Sequence, residues 1–182
     1  MHKEKMPSNK TFETKSYSPS KIVLMYAVTA TIIILIVYYL PNYFFLEQLI
    51  ADHAVLLLNA LGLQVQTKVI NENVYLANIK IVKECTGVQV IAVFLGMIIP
   101  LPNATAKNKL LTLSVLSLLL YGANMLRIVL EFSFVYLNIL PWSLAHYPLS
   151  FLLGIFGVFI LILITSRLLP EFGDFLFSIA RK

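Results

Sequence analysis

The chain has 182 residues, of which 59% are hydrophobic and 13% are charged, and its mean hydropathy is +0.83. These values exclude an ordinary soluble domain, in which about 25% of residues are charged, and they indicate one compact membrane bundle. The net charge of +5 does not indicate a nucleic-acid partner, because the basic residues cluster at the ends of apolar segments, where they orient membrane helices. The single cysteine excludes a disulfide within the chain.

The first element is a polar, basic segment at 1–20 without apolar periodicity, and we predict a disordered cytoplasmic tail there. The apolar run at about 21–40 is the first predicted membrane span, and Pro41 closes it. Because twenty polar residues precede this long run, it is not a plausible cleaved signal peptide.

The next apolar segment, 44–63, is interrupted by Glu47, Asp52 and His53. An Asp at the centre of a membrane span costs about 2.5–3.5 kcal/mol on the insertion scale. We therefore predict an interfacial helix at the outer surface instead of a span.

Residues 64–82 are less uniformly apolar than the segments on either side of them. Polar and β-branched residues alternate at 64–69, an Asn-Glu-Asn turn follows at 71–73, and the apolar stretch 74–82 completes the segment. This pattern predicts a β-hairpin before Cys85.

Three further apolar runs, at about 85–101, 110–131 and 147–166, are predicted spans. The predicted fold is an all-α membrane protein, a four-span bundle with an interfacial helix and a short extracytoplasmic hairpin. A single catalytic domain covers 21–170, and a cytoplasmic tail follows at 171–182.

Two topologies differ in whether 44–63 crosses the membrane. Without that crossing there are four spans, both termini are cytoplasmic, and ten of the fourteen Lys and Arg residues lie inside. With it there are five spans, and eight lie inside and five outside. The positive-inside rule favours four spans in the cell membrane. The ten inside residues are Lys3, Lys5, Lys10, Lys15, Lys21, Lys107, Lys109, Arg167, Arg181 and Lys182.

Either topology places Cys85, Arg127 and His146 at one membrane depth. Cys85 and His146 each open a span from the same side, while Arg127 lies eighteen residues after Lys109. That distance is about 27 Å along a helix, close to the hydrocarbon thickness of about 30 Å. The four-span topology puts this layer at the outer interface, and the five-span topology puts it at the inner one.

These three residues supply the chemistry of covalent acyl transfer. A cysteine acts as a thiolate, which an imidazole such as His146 can produce by accepting the proton. Arg127 can stabilise the oxyanion or hold a substrate carboxylate. Each also has a bland interpretation: Cys85 as inert packing, Arg127 as a side chain that snorkels to the headgroups, and His146 as part of an aromatic belt with Trp142 and Tyr147.

Five neighbours are candidate supporting residues: Glu84, Thr86, Gly87, Asn124 and Glu131. Thr86 and the backbone around Gly87 offer hydrogen-bond donors at the start of a helix, or serve only close helix packing. Glu131 lies one helical turn beyond Arg127 and is expected to orient it. Glu84 is a candidate to orient His146, although both carboxylates are better explained as local ion partners or solvated groups.

Two short motifs and one isolated position resemble the exosortase/archaeosortase membrane transpeptidases. The segment 84–89, Glu-Cys-Thr-Gly-Val-Gln, is similar to their cysteine motif when followed by an apolar span. The segment 124–128, which begins with Asn124, is similar to their arginine motif, and His146 corresponds to their third catalytic position. The resemblance covers about residues 44–168 and leaves the bacterial or archaeal branch open.

The resemblance implies that Cys85 is the nucleophile, Arg127 the binder of substrate or oxyanion, and His146 the base and acid. It implies membrane-tethered protein substrates with a C-terminal sorting signal: a short Pro- or Gly-containing motif, an apolar helix and a basic end. The acyl group would pass through a thioacyl intermediate to a lipid or glycan acceptor, and we expect no metal and no cofactor. The alternative function is a non-enzymatic membrane scaffold or small transporter subunit that uses Arg127 as a pairing charge.

Overall fold

The computed structural model describes residues 19–39 and 42–180, so most of the predicted tail at 1–20 lies outside the described residues. A 3₁₀ turn at Lys83–Thr86 leads into α3, and a π-helical turn at Ala145–Leu149 joins α5 to α6. The helices and strands are, in chain order, α1 Pro19–Tyr38, α2 Phe44–Ala60, β1 Thr67–Ile70, β2 Asn73–Leu76, β3 Ile79–Ile81, α3 Val88–Ile98, α4 Ala106–Tyr136, α5 Trp142–Leu144, α6 Ser150–Leu168 and α7 Pro170–Ala180.

Helices α1 and α3 pack against each other in opposite directions. The Tyr26 hydroxyl, in the first half of α1, donates to the carbonyl of Met97 near the end of α3 (2.5 Å). At the other end, Lys83 Nζ, just before α3, donates to the carbonyl of Tyr38, the last residue of α1 (3.3 Å).

Helix α4 runs antiparallel to α3. Near its start, Lys109 Nζ donates to the carbonyl of Ile99, immediately after α3 (2.7 Å). Farther along, Asn124 Nδ2 donates to the carbonyl of Cys85, immediately before α3 (2.6 Å). The two bonds hold both ends of α3 against α4.

Helix α6 in turn runs antiparallel to α4. Ser150, at the start of α6, bonds to Arg127 in the second half of α4, while Leu161 shares a core cluster with Leu116 in the first half. The four helices α1, α3, α4 and α6 therefore alternate in direction. We call the end that holds the start of α4 the α7 end, and the opposite end the sheet end.

Helix α7 forms most of the segment that the sequence predicts as a cytoplasmic tail, 171–182. Leu169 and Phe172 are fully buried in one core cluster with residues of α3, α4 and α6. The ring of Phe175 lies 4.5 Å from the ring of Tyr26, measured between centroids. Apolar side chains at helical spacing therefore fold this segment back against the bundle, while its cytoplasmic location stays a prediction.

The segment predicted as one hairpin holds three antiparallel strands in the order β1-β2-β3. Asn71 and Glu72 form the first turn with φ angles of 49° and 60°, as a type I′ turn requires. The prediction of a single second strand is wrong, because the chain turns again at Ala77 (φ 53°) and Asn78. Asn is a common turn residue, so this break has a local sequence cause.

The sheet packs on α2 and α4 to form the core of the sheet end. Val74 and Leu76 of β2 are fully buried and share a cluster with Ala54 and Leu58 of α2. The same cluster contains Cys85 and four residues of α4. The candidate cysteine is therefore part of the packing that fixes the sheet.

Among the described residues, two helical stretches are long and apolar enough to cross a membrane: Ala106–Tyr136, and Trp142–Leu168, which comprises α5, the π-helical turn and α6. Only 22% of the apolar window of the first and 11% of the second are buried, so neither resembles the core helix of a soluble protein. Val23–Tyr38 and Val88–Ile98 are shorter apolar helices. Large apolar side chains exposed on these helices include Leu24, Val28, Ile32, Leu110, Leu111, Leu118, Phe151, Ile155 and Phe159.

Gly96 lies where α1 and α3 meet, and it generates a prediction about their packing. A Cβ at this position would lie 2.6 Å from Ile34 Cγ1 and 2.8 Å from the carbonyl oxygen of Ala30. Because the helix backbone at Ala30 can move away only at a cost in free energy, we expect Gly96→Val to destabilise the protein by about 1–3 kcal/mol. The measurement is the midpoint of thermal unfolding in detergent. The control is Gly157→Val on α6, where a Cβ meets nothing within 4 Å; equal midpoints for the two variants would contradict the prediction.

Candidate active site

Cys85 lies in the 3₁₀ turn between the sheet and α3, and only 8% of its surface is exposed. Its backbone N–H donates to the carbonyl of Val82 (2.7 Å), and its own carbonyl accepts from Asn124 Nδ2 of α4. The buried Asn124 side chain thereby fixes the cysteine turn to the helix that also carries Arg127.

Thr86 and Gly87 shape the junction between this turn and α3. The Thr86 hydroxyl donates to the carbonyl of Lys83 (2.6 Å) and accepts from the backbone N–H of Val88 (3.3 Å). Gly87 has a φ of 74°, which side-chain-bearing residues rarely adopt. In this arrangement the Thr86 hydroxyl is used within the turn, and Gly87 allows the chain to enter α3.

Glu131 contacts both the arginine and the histidine from one buried carboxylate, whose side chain is 5% exposed. Its Oε1 lies 3.6 Å from Arg127 Nε, and its Oε2 lies 3.4 Å from His146 Nδ1. The Ser150 hydroxyl donates to Oε1 and accepts from Arg127 Nη1 (3.4 Å). We call Arg127, Glu131, His146 and Ser150 the polar cluster; it joins the second half of α4 to the start of α6.

His146 sits in the π-helical turn at Ala145–Leu149. Pro148 has no N–H to donate to the carbonyl four residues earlier, and its ring would clash with that carbonyl in an α-helix. The wider turn accommodates the proline, and such turns are frequent at functional sites. The Trp142 ring stacks on the imidazole with centroids 4.6 Å apart and planes 11° apart, which fixes the orientation of the His146 ring.

The three residues Cys85, Arg127 and His146 line one open cavity with about 390 Å³ of empty space. Its remaining walls come from β3, the segment after it, and the facing surfaces of α4 and α5. These other lining residues are Ile79, Lys80, Ile81, Val82, Ile128, Glu131, Phe132 and Trp142.

A sequence profile described as transmembrane exosortase matches residues 14–164. The chain belongs to the transmembrane exosortase family. The resemblance drawn from the cysteine and arginine motifs is thus confirmed. The chain is therefore a membrane protein, and the family in general implies a cysteine transpeptidase. No curated protein and no solved structure matches the chain.

Glu84 does not lie beside His146 in this exosortase, although the sequence makes it a candidate to orient that histidine. It lies in the cysteine turn, but it does not line the cavity and forms no hydrogen bond or ion pair with any described residue. The carboxylate next to His146 is Glu131, which also lies beside Arg127, as the four-residue spacing predicts.

Ser150 and Trp142 belong to the candidate site but were not predicted from the sequence as site residues. Both lie four positions from His146, one on each side, and the four-residue spacing places all three on one face of a helix. This spacing was the available signal. It was missed because a serine and a tryptophan at the start of an apolar run have ordinary explanations.

One nitrogen of Arg127, Nε, is buried without a hydrogen-bond partner among residues 19–39 and 42–180, although Glu131 Oε1 lies 3.6 Å from it. Buried donors are normally satisfied, and a guanidinium carries five N–H donors. Its charge is meanwhile paired with Glu131 inside the chain. This pairing disfavours the alternative in which Arg127 is a pairing charge for a partner subunit.

Proposed function

We propose that this chain is a membrane cysteine transpeptidase that cleaves the C-terminal sorting signals of secreted, tail-anchored proteins. It transfers the new carboxyl end through a thioacyl intermediate to a lipid or glycan acceptor. The observation that carries the proposal is the single cavity lined by Cys85, Arg127 and His146. Family membership supports the general reaction class.

In the proposed first half-reaction, His146 accepts the thiol proton of Cys85, and the thiolate attacks the carbonyl carbon of the scissile peptide bond. Arg127 stabilises the resulting oxyanion. The tetrahedral intermediate collapses, the C–N bond breaks, and the leaving amine takes the proton from His146. The products are a thioester on Cys85 and the released C-terminal tail.

In the second half-reaction, the acceptor nucleophile attacks the thioester carbonyl and gives its proton to His146. The C–S bond then breaks, and the thiolate of Cys85 recovers the proton from the imidazolium. Glu131 acts as a positioning residue in both halves. With its carboxylate at Nδ1, it favours the tautomer whose Nε2 is free to exchange protons, as the acidic member of a catalytic triad does.

The proposed topology has four crossings, α1, α3, α4 and α6, with α2 and the sheet at the outer face and both termini in the cytoplasm. The alternating direction of these helices supports it, because the start of α1 and the end of α6 then lie on the same side. The predominance of basic residues on that side supports it as well.

The nucleophile and base are tested with secreted reporters whose C-terminal tails carry a short Pro- or Gly-containing motif, an apolar helix and a basic end. We expect Cys85→Ala, Cys85→Ser and His146→Ala each to lower reporter cleavage by more than about 1,000-fold while the protein still inserts, as loss of a nucleophile or its base does. The control is His53→Ala, since His53 on α2 contacts Tyr121 outside the cavity. Normal cleavage by Cys85→Ala would refute the proposal. The scaffold alternative predicts that substitution of Cys85 is tolerated.

The topology is tested with two matched lysines in a chain whose own cysteine is replaced by Cys85→Ser. Lys68 is exposed on β1, and Lys107 is exposed at the start of α4. We expect Lys68→Cys to react with a membrane-impermeant maleimide on intact cells, and Lys107→Cys to react only after permeabilisation. The reverse pattern would establish the five-span orientation of this layer.

The positioning role of Glu131 is tested by Glu131→Gln, which keeps the size of the side chain but removes its charge. We expect reporter cleavage near neutral pH to fall by about 100-fold or more, because the proton acceptor is misoriented and its charged form is no longer stabilised. The loss should shrink at alkaline pH, where the thiol ionises without a base. A purely structural role would lower the rate equally at every pH.

The matched control for this experiment is Glu84→Gln, which changes the other nearby carboxylate. We expect no loss of cleavage at any pH, since Glu84 forms no ion pair with a member of the polar cluster. A pH-dependent loss in Glu84→Gln, with none in Glu131→Gln, would assign the positioning role to Glu84 instead.

A further inference from the structure

Strand β3 is an edge strand that forms one wall of the candidate active site. In the order β1-β2-β3 it pairs with β2 alone, and among the described residues no other backbone hydrogen bond reaches Ile79, Lys80 or Ile81. All three of these residues line the cavity that contains Cys85. An unpaired edge is a ready template for an additional extended chain.

Lys80 adds a positive charge to that wall. It is exposed and forms no hydrogen bond or ion pair with any described residue, although its charge acts on Glu47 of α2. The one carboxylate that lines the cavity, Glu131, is already engaged by Arg127, His146 and Ser150. An anionic group that enters the cavity therefore meets Lys80, whose side chain is not held in an ion pair.

The sheet supplies an internal comparison for Lys80. Lys68 on β1 and Lys80 on β3 are both paired with Tyr75 of β2, one on each side. Residues directly opposite in a sheet point to the same face, so the two lysines flank Tyr75 on one face. They differ in that Lys80 lines the cavity and Lys68 does not.

We propose that the free edge of β3 binds the substrate as an added extended strand, with Lys80 selecting an acidic side chain close to the scissile bond. This inference rests on the proposed function and specifies its substrate: an extended peptide segment with an acidic residue, lying between β3 and Cys85. Main-chain hydrogen bonds provide affinity in this mode of recognition, and a side-chain contact provides specificity. A phospholipid headgroup would also suit a lysine, but it lacks the alternating main-chain donors and acceptors that pair with a strand edge.

Binding is tested by photocrosslinking, which does not require cleavage. The photoreactive residue p-benzoyl-phenylalanine replaces Lys80 or, as the matched control, Lys68, in the Cys85→Ser protein co-expressed with the tail reporters. We expect position 80 to capture the reporter segment that precedes the apolar helix, and position 68 to capture at least about tenfold less. Equal capture at both positions, no capture at position 80, or capture of phospholipid there in place of the reporter would overturn the docking on β3.

Selectivity is tested with reporters in which single residues around the cleavage point are Asp or Lys. We expect the native protein to cleave one Asp reporter about tenfold faster than its Lys counterpart, as loss of one charge-assisted contact would give. Lys80→Glu should invert this preference, whereas Lys68→Glu should leave it unchanged. Reporter cleavage with no charge preference, or a preference that Lys80→Glu leaves intact, would refute the role of Lys80 while the proposed function stands. Failure of the native protein to cleave any reporter, with specific capture at position 80, would refute the proposed function but retain the docking.

Discussion

The buried carboxylate of Glu131 constrains the arrangement of the whole site. A charge in a membrane helix is costly unless it is paired, and removing one partner of a buried ion pair typically costs about 3–5 kcal/mol. Arg127, His146 and Ser150 therefore have to converge on this one group. Because they come from α4 and from the start of α6, the convergence fixes both the rotation of α4 and the depth at which α6 begins.

The same low-dielectric environment explains how the short helices end. The last carbonyls of a helix lack partners within it, and hydrocarbon supplies no water to satisfy them. In this fold, polar side chains of neighbouring segments donate to carbonyls at the helix ends and at the cysteine turn. The pairs, donor first, are Lys83 with Tyr38, Tyr26 with Met97, Lys109 with Ile99, and Asn124 with Cys85. In the sequence these donors look like ordinary flanking charges or packing residues. In the structure they cap helix ends, which permits helices as short as α3.

Sequence reasoning placed Cys85, Arg127 and His146 in one layer because membrane depth follows from apolar runs and from the rise of a helix. It could not show that they face one cavity, since facing depends on helix rotation, which the polar cluster determines. The second turn at Ala77 was missed because alanine carries no turn signal and Asn78 stood alone. Helix α7 was missed because its apolar residues are buried only once α6 has brought them back against α1 and α3.

The length of α3 links the fold to the proposed reaction. Its 11 residues span about 16–17 Å, which is much less than the hydrocarbon thickness of about 30 Å. If α3 begins from the outer side, the Cys85 turn is therefore recessed below the membrane surface, where irregular backbone is tolerated only when protein encloses it. Here Asn124 and the sheet provide that enclosure. A peptide that continues into an anchored apolar helix already enters the membrane at this depth, whereas a soluble peptide would have to leave water to reach the thiol. Under the proposed topology, such a recess would favour membrane-tethered substrates irrespective of the side-chain contacts that they make.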